Sequence, residues 1–232
     1  MRTGQILIGV TLLLTSSAAY AGDGTSAAKK VVAADNQYAL LAGNLQRAGW
    51  SFDRIFTELC KTALSNCDRN PKLRLDDQVR AMFGGLWLWA RKGGSPVLQG
   101  QNDKALHFIG GGAFEGYWDV GQSSAIIKEE IDRRDPNNFF DLDDMAATMM
   151  GARWMDIATS ENPQQNRRWL EVWATGRYTL ARSLPKLAFG HMEPGKGAPP
   201  EKIKAVQNAV NTAMTPPASD LSSAAPPIAA PR

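Results

Sequence analysis

Large apolar residues recur at three- and four-residue steps along most of this chain, and this spacing limits its fold more than any other feature. Tyr38, Leu41 and Leu45 form one such row. Steps of three and four place side chains on one face of an α-helix, whereas a half-buried strand alternates every second residue. Alternation of that kind is not sustained over five or more residues here, so the sequence predicts an all-α protein.

Capping and breaker residues divide this pattern into seven predicted helices. Gly49 separates the first two, and the glycines at 93 and 94 end the third. The predicted ranges are two helices within residues 31–64, then 76 or 77 to 93, 104–120, 123–134, 143–159 and 164–187. Because 232 residues with seven Trp and eight Phe can bury a sizeable core, we expect a single helical bundle of about six to seven helices spanning residues 22–192.

The C-terminal part of the chain has a different composition. A Pro- and Gly-rich linker at 194–200 precedes a short amphipathic segment that contains Ile203, Val206 and Val210. From Thr215 onward the residues are mainly Pro, Ala and Ser, which bury too little apolar surface to offset the entropy of ordering. We therefore expect residues 193–232 to form a linker and a mostly disordered tail.

The first 21 residues have the pattern of a signal peptide. Arg2 precedes an apolar run from Ile6 to Leu14, and Ala19-Tyr20-Ala21 is a cleavage site of the small-x-small type. An uncleaved anchor is the alternative, but the run is about half of the ~20 residues that span a bilayer. The sequence therefore predicts residues 1–21 as a cleaved signal peptide, a periplasmic protein and no transmembrane segment after cleavage.

The chain has two cysteines, Cys60 and Cys67. Because the periplasm is oxidising, the predicted location favours a disulfide between them. On one unbroken helix their Cα atoms would lie about 10 Å apart, beyond the ~7 Å limit for a bridge. The bridge therefore requires a helix break between them, for which Asn66 and Pro71 offer turn residues. Two free thiols are the alternative.

The charge distribution argues against nucleic acid as a partner. The chain has 26 Lys and Arg against 23 Asp and Glu, a formal charge of +3, without a long basic cluster. A nucleic-acid-binding surface needs a concentrated basic stripe to neutralise phosphates. We expect no nucleic-acid partner.

Residues 103–151 place ionisable side chains within apolar helical patterns. His107 and Gly111 share one helix face, and the surrounding glycines allow a neighbouring backbone to come close. Glu129 and Asp132 share a face of the next predicted helix, on which Lys128 is positioned to pair with Asp132. With Asp144 on a third helix, we expect His107, Glu129, Asp132 and Asp144 to meet in one pocket, supported by Lys128 and Asp103.

Each of these residues also has an ordinary structural explanation. Asp103 and Asp141 are suitable helix N-caps. A single His107 on an apolar face is commonly a hydrogen-bonded core residue, and Glu129 with Asp132 fits a solvated, salt-bridged face. Their occurrence together on three consecutive helices favours a shared site.

Three short blocks in this region resemble a known family. They are DKALHF at 103–108, KEEID at 128–132, and DM at 144–145 followed by GA at 151–152. They are similar to the D-K-x-x-H-F, K-E-x-x-D and D-[LM]-x5-G-A blocks of the YfiM-like periplasmic lipoproteins and, more distantly, to VanZ-like membrane proteins. The resemblance covers residues 103–152, and this chain lacks the lipidated cysteine. It implies a shared site at His107, Lys128, Glu129, Asp132 and Asp144, without a substrate.

Three functions are compatible with such a site. The first is a hydrolase acting on an envelope lipid, an isoprenoid phosphate or a glycan, with those five residues as catalytic candidates. A divalent metal is possible there, with His107, Glu129 and Asp132 as ligands, although the H-E-x-x-H zinc motif is absent. The second is a periplasmic ligand-binding or envelope-maintenance protein. In the third, the polar cluster only holds three helices together.

Overall fold

The computed structural model describes residues 25–214, with side chains from residue 34 onward. This part of the chain contains nine helices and no strands. In chain order the helices are α1 (Thr25–Arg47), α2 (Phe52–Arg69), α3 (Leu75–Arg91), α4 (Asn102–Trp118), α5 (Gly121–Asp132), α6 (Leu142–Ala158), α7 (Pro163–Ala174), α8 (Leu180–Ser183) and α9 (Pro200–Ala213). The predicted all-α bundle is confirmed.

The boundary between the first two helices follows the local signals, whereas the predicted cap of α3 is wrong: Arg74 is its N-cap, and Asp76 and Asp77 lie in its first turn. Gly49 adopts a positive φ of 80° between α1 and α2, a conformation that favours glycine. The Ser51 side chain caps α2 by accepting from the backbone N–H of Arg54. The predicted break between the first two helices is therefore confirmed.

The last predicted long helix is shorter than its apolar pattern suggests. Instead of running from 164 to 187, α7 ends at Ala174, and Gly176 follows with a φ of 72°. Only the four residues of α8 are helical in the segment that continues to 187. The positive φ turns the chain, and the apolar residues beyond it pack as a loop.

An aromatic cluster forms the centre of the bundle. The Phe56 ring lies 5.1 Å from that of Trp154 and 5.6 Å from that of Trp173, both in edge-to-face geometry. It also contacts Phe83 and Phe108 at 5.9 and 5.7 Å. These rings come from α2, α3, α4, α6 and α7, so one aromatic core joins α4 and α6 to the rest of the bundle.

The bundle extends beyond its predicted end at residue 192. Helix α9 packs against α6, and Val206, Val210 and Met214 are buried there. The predicted linker before α9 is present, but the amphipathic segment has a long enough apolar stripe to dock as a helix. The predicted signal peptide at 1–21 and the predicted disordered tail from Thr215 lie outside the described residues.

The predicted disulfide is wrong. Both cysteines lie on α2, which is continuous from Phe52 to Arg69, and both are free thiols. Asn66 continues the helix and donates its side-chain amide to Gln78 at 3.0 Å, and Pro71 comes only after the helix has ended. Seven residues of helix rise hold the two Cα atoms about 10 Å apart, too far for a bridge.

Within residues 25–214, every helix is too short or too polar to cross a membrane.

Candidate functional site

Three helices, α4, α5 and α6, bring most of the predicted site residues together. They contribute the first turns of α4, the last turns of α5 and the first turns of α6. We refer to the resulting set as the polar network: Asp103, Lys104 and His107 from α4, Lys128, Glu129 and Asp132 from α5, and Asp141, Asp144 and Thr148 from the start of α6.

Two glycines allow α4 and α6 to pack backbone against backbone. A Cβ atom on Gly111 would overlap the carbonyl oxygen of Thr148, and one on Gly151 would overlap that of Phe108. A larger residue at either position would force the helices apart. The close approach of a neighbouring helix, which the glycine pattern predicted, sets His107 beside Thr148 and Asp144.

His107 is held by one hydrogen bond and faces two carboxylates. Its Nδ1 lies 3.0 Å from Thr148 Oγ1, and that hydroxyl donates to the Asp144 carbonyl oxygen at 3.0 Å. Because the Thr148 proton is used in this way, we assign the imidazole proton to Nδ1. Nε2 then faces Asp144 Oδ2 at 3.3 Å and Asp103 Oδ1 at 4.0 Å.

Electrostatics keep the imidazole neutral. Burial lowers the pKa of His107 well below its usual 6.5, and the ammonium groups of Lys128 and Lys104 lower it further. Burial and the neighbouring Asp144 raise the pKa of Asp103. His107 is therefore an unprotonated acceptor at neutral pH.

Lys104 is a buried cation that the prediction of site residues omitted. Its Nζ donates to Asp144 Oδ1 and, at 3.2 Å, to Asp141 Oδ2. Burial opposes its charge, but Asp144 and then Asp141 outweigh burial and raise the pKa of Lys104 above its ordinary value. The sequence signal for including Lys104 in the site was its position three residues before His107, on the same helix face.

Lys128 joins α5 to the rest of the network. Its Nζ donates to Glu129 Oε1 at 2.8 Å and to Asp132 Oδ2 at 2.7 Å, and it lies 4.0 Å from Asp144 Oδ2. Burial opposes its charge, but Glu129 and Asp132 hold the pKa of Lys128 above its usual range. The predicted pairing of Lys128 with Asp132 is confirmed.

Glu129 is the most deeply buried acid of the network, with 1% of its surface exposed. Its Oε2 accepts from the backbone N–H of Asp141 at 2.9 Å and so ties α5 to the N-cap of α6. Burial raises the pKa of Glu129 to about 7, against the opposing effect of Lys128. Asp141 itself caps α6 by accepting from the N–H groups of Asp143 and Asp144.

The predicted metal set of His107, Glu129 and Asp132 is not the set that converges. Among the described residues, the donor atoms of Asp103, His107 and Asp144 lie within 4.8 Å of one another. Glu129 and Asp132 lie outside that group because the Lys128 ammonium stands between them and Asp144. Asp103, expected as a supporting charge or an N-cap, belongs to the group, while Gln101 occupies the N-cap position.

Glu115 belongs to a second acidic cluster and not to the network. Its carboxylate and those of Asp119 and Asp156 lie within 4.8 Å of one another. Burial, followed by Asp156 and Asp119, raises the pKa of Glu115 to about 8. Gln122 links this cluster by donating to Asp156 at 2.9 Å.

Solvent reaches the network from one side. The Asp103 side chain is 54% exposed and that of Lys128 31%, whereas His107 is 6% and Asp144 11% exposed. A separate groove of about 360 Å³, lined among others by Arg153, contains none of the network residues. The network is thus separate from this groove and is open to solvent beside Asp103.

Comparisons of the chain with protein-family models, with curated proteins and with solved structures give no match.

Proposed function

We propose that this chain is an exported protein of the bacterial cell envelope and a hydrolase of an envelope phosphate ester or glycan. The observation that carries the proposal is the position of His107 Nε2, the unprotonated nitrogen of a buried imidazole. It lies 3.3 Å from Asp144 and 4.0 Å from Asp103, the acid that is exposed to solvent. An unprotonated imidazole nitrogen can act as a general base toward water.

The sequence supports export and the family resemblance. Residues 1–21 have the order of a signal peptide, which favours a periplasmic location. The three blocks that resemble the YfiM-like proteins supply Lys104, His107, Lys128, Asp132 and Asp144, and each of these takes part in the polar network. Residues that are dispersed over 103–152 in sequence would thus serve one site.

The hydrolytic step needs only groups that the network offers. His107 Nε2 takes a proton from a water molecule, and the water oxygen forms a bond to the phosphorus or anomeric carbon of the substrate. The bond from that atom to the leaving oxygen breaks. Because this oxygen departs on the side opposite the attacking water, it takes its proton from solvent, and the imidazolium returns its own proton to solvent. Lys128, 31% exposed, supplies positive charge beside the negative charge that develops on a phosphoryl group.

Three classes of envelope substrate fit this chemistry: a lipid headgroup, an isoprenoid phosphate and a glycan. The side of the site open to solvent carries both Asp103 and Lys128, so a substrate with a polar head would meet charge of both signs. An apolar lipid tail would have to remain outside the network, because the side chains that surround His107 are charged or polar.

The test is a hydrolysis assay with chromogenic phosphomonoester, phosphodiester and glycoside substrates and with short-chain isoprenyl phosphate. We expect turnover of one class, and a loss of at least ~100-fold in kcat for His107→Gln, because general-base catalysis contributes about 10²–10⁴. His191→Gln is the matched control, since the second histidine of the chain is exposed and stacks on Phe139 at 4.4 Å. Turnover that survives in His107→Gln would reject His107 as the base.

A non-enzymatic function is the second candidate, and a specific observation favours it. The two buried or half-buried lysines are already paired, Lys104 with Asp141 and Asp144 and Lys128 with Glu129 and Asp132. The network would then lock α4, α5 and α6 in a ligand-binding or envelope-maintenance protein. That function predicts no turnover of any substrate class and a large loss of stability in His107→Gln.

A further inference from the structure

We propose that Asp103, His107 and Asp144 bind one divalent transition metal ion of the Zn²⁺ or Mn²⁺ class. Atoms that bind one such ion at about 2.0–2.2 Å lie roughly 3–4.4 Å apart. His107 Nε2 is 3.3 Å from Asp144 Oδ2 and 4.0 Å from Asp103 Oδ1, and the three donor atoms fall within 4.8 Å of one another. Two of the three donor distances therefore fall in the range of a shared ion, and the third, at most 4.8 Å, needs only a small side-chain movement.

The hydrogen bonds of the imidazole point independently to a cation. The Thr148 hydroxyl donates to the Asp144 carbonyl oxygen and accepts from Nδ1–H of His107. The neutral imidazole therefore has its lone pair on Nε2. The side chain is 6% exposed, and no described residue donates a hydrogen bond to that lone pair. A lone pair that faces two carboxylate oxygens is unfavourable, and a cation between them makes all three contacts attractive.

The surrounding bonds orient the ligands. The Nδ1–H bond to Thr148 fixes the ring angle, as the outer hydrogen bond of a metal-bound histidine usually does. Lys104 occupies Asp144 Oδ1 and leaves Oδ2 directed toward His107. Lys104 pairs with Asp141 as well as with Asp144, and Lys128, 4.0 Å from Asp144 Oδ2, pairs with Glu129 and Asp132. Other carboxylates of the network thus share the charge of both lysines.

The donor set indicates the class of metal. One imidazole nitrogen and two carboxylates suit Zn²⁺ and Mn²⁺, whereas Mg²⁺ and Ca²⁺ prefer oxygen ligands alone. Two carboxylates also balance the charge of a divalent ion. Because Asp103 is 54% exposed, a further coordination position would be open to water, which is typical of catalytic sites. In that catalytic role the inference rests on the proposed hydrolase. With the ion bound, Nε2 would be a ligand and not the base, and the ion would instead activate the water at the open position.

The second acidic cluster provides an internal comparison. Glu115, Asp119 and Asp156 are also within 4.8 Å of one another, but they lack a histidine and a second sign of a ligand. Asp119 has a φ of 57°, a conformation that Asn also tolerates well. Asp119→Asn is therefore a matched control for Asp103→Asn: each removes one exposed carboxylate from a three-residue cluster.

The experiment is isothermal titration of the chelator-treated full-length chain with Zn²⁺ and with Mn²⁺, followed by visible absorption after Co²⁺ addition. We expect one ion per chain, and affinity at least ~100-fold weaker in Asp103→Asn and Asp144→Asn. Thr148→Val should weaken binding by about 10–100-fold, the usual effect of losing an outer-shell hydrogen bond. Asp119→Asn should bind as the unchanged chain does. Because Asp103 is half exposed, thermal melting should show that Asp103→Asn is folded.

Two results would overturn the metal site: no binding of any of the three ions, or affinity that falls in Asp119→Asn and not in Asp103→Asn. The hydrolase is tested separately by turnover. Metal binding without hydrolysis of any substrate class would keep the metal site and reject the proposed function. Hydrolysis that is unchanged after chelation would keep the hydrolase and reject its metal.

Discussion

Two adjacent glycines in α4, Gly110 and Gly111, are expected to respond in opposite directions to the same substitution. A Cβ atom on Gly110 would lie 3.4 Å from a ring carbon of Trp87, which is an ordinary contact. Replacing glycine by alanine inside a helix stabilises it by roughly 0.5–1 kcal/mol when the space is available. We therefore expect Gly110→Ala to raise the free energy of unfolding by about that amount.

At Gly111 the new methyl group would overlap the Thr148 carbonyl oxygen, with the carbonyl carbon at 2.7 Å and the Cα at 3.0 Å. The obstacle is backbone on α6, so a side-chain rotation cannot relieve it. Overpacking of a core costs about 1–3 kcal/mol, and here the upper end applies, with a partial offset of about 0.5–1 kcal/mol from helix propensity. We expect Gly111→Ala to destabilise the fold by about 2 kcal/mol.

Urea unfolding of both variants and the unchanged chain measures this difference. With a slope of about 2 kcal/mol per molar urea for a domain of this size, the two midpoints should differ by roughly 1.5 M, with the unchanged chain between them. Equal midpoints for Gly110→Ala and Gly111→Ala would refute the claim that backbone contact between α4 and α6 positions His107.

Three further predictions concern other parts of the chain. Truncation after Met214 should leave the melting temperature unchanged within about 2 °C, since Pro-, Ala- and Ser-rich sequence buries little; a fall of several degrees would contradict this. Thiol titration of denatured, unreduced protein should find two free thiols, because unbroken α2 separates Cys60 from Cys67; finding none would restore the bridge. The Glu115 pKa is raised from 4.5 to about 8, so its folded form retains a proton that the unfolded chain has lost, and stability should fall as pH rises from about 5 to 8. Because Glu115 is partly exposed, we expect this loss of stability to be about 1–2 kcal/mol. Glu115→Gln should remove it. Equal slopes of unfolding free energy against pH for Glu115→Gln and the unchanged chain, measured by urea unfolding, would contradict the role of Glu115.

Helix content and several helix ends are local properties, and for these the sequence was sufficient. The apolar steps of three and four residues predict the helices, and Gly49 ends the first because its positive φ is a property of one residue. Asp141 was recognised as an N-cap, and the structure has it accepting from two backbone N–H groups of α6. The glycine face beside His107 correctly predicted a close helix neighbour.

Contacts between distant helices were decided by the tertiary structure. The three-residue spacing places Glu129 and Asp132 on one face of α5, but it does not determine which acid of α5 or α6 lies closest to His107. That depends on the register at which α4 meets α6, and backbone contact at Gly111 sets His107 against Asp144 and Thr148.

The same reason accounts for the other differences. The pattern shows that Val206 and Val210 share a face, but the surface of α6 that covers them exists only once the bundle has formed. Turn-forming residues near Cys67 do not break α2, because Asn66 finds a side-chain partner in Gln78 of the next helix. Lys104 is charged and would be expected at the surface, yet two carboxylates from α6 stabilise it in the interior. The sequence by itself thus determined the helices and the residue types of the site, and packing between helices determined which of those residues act together.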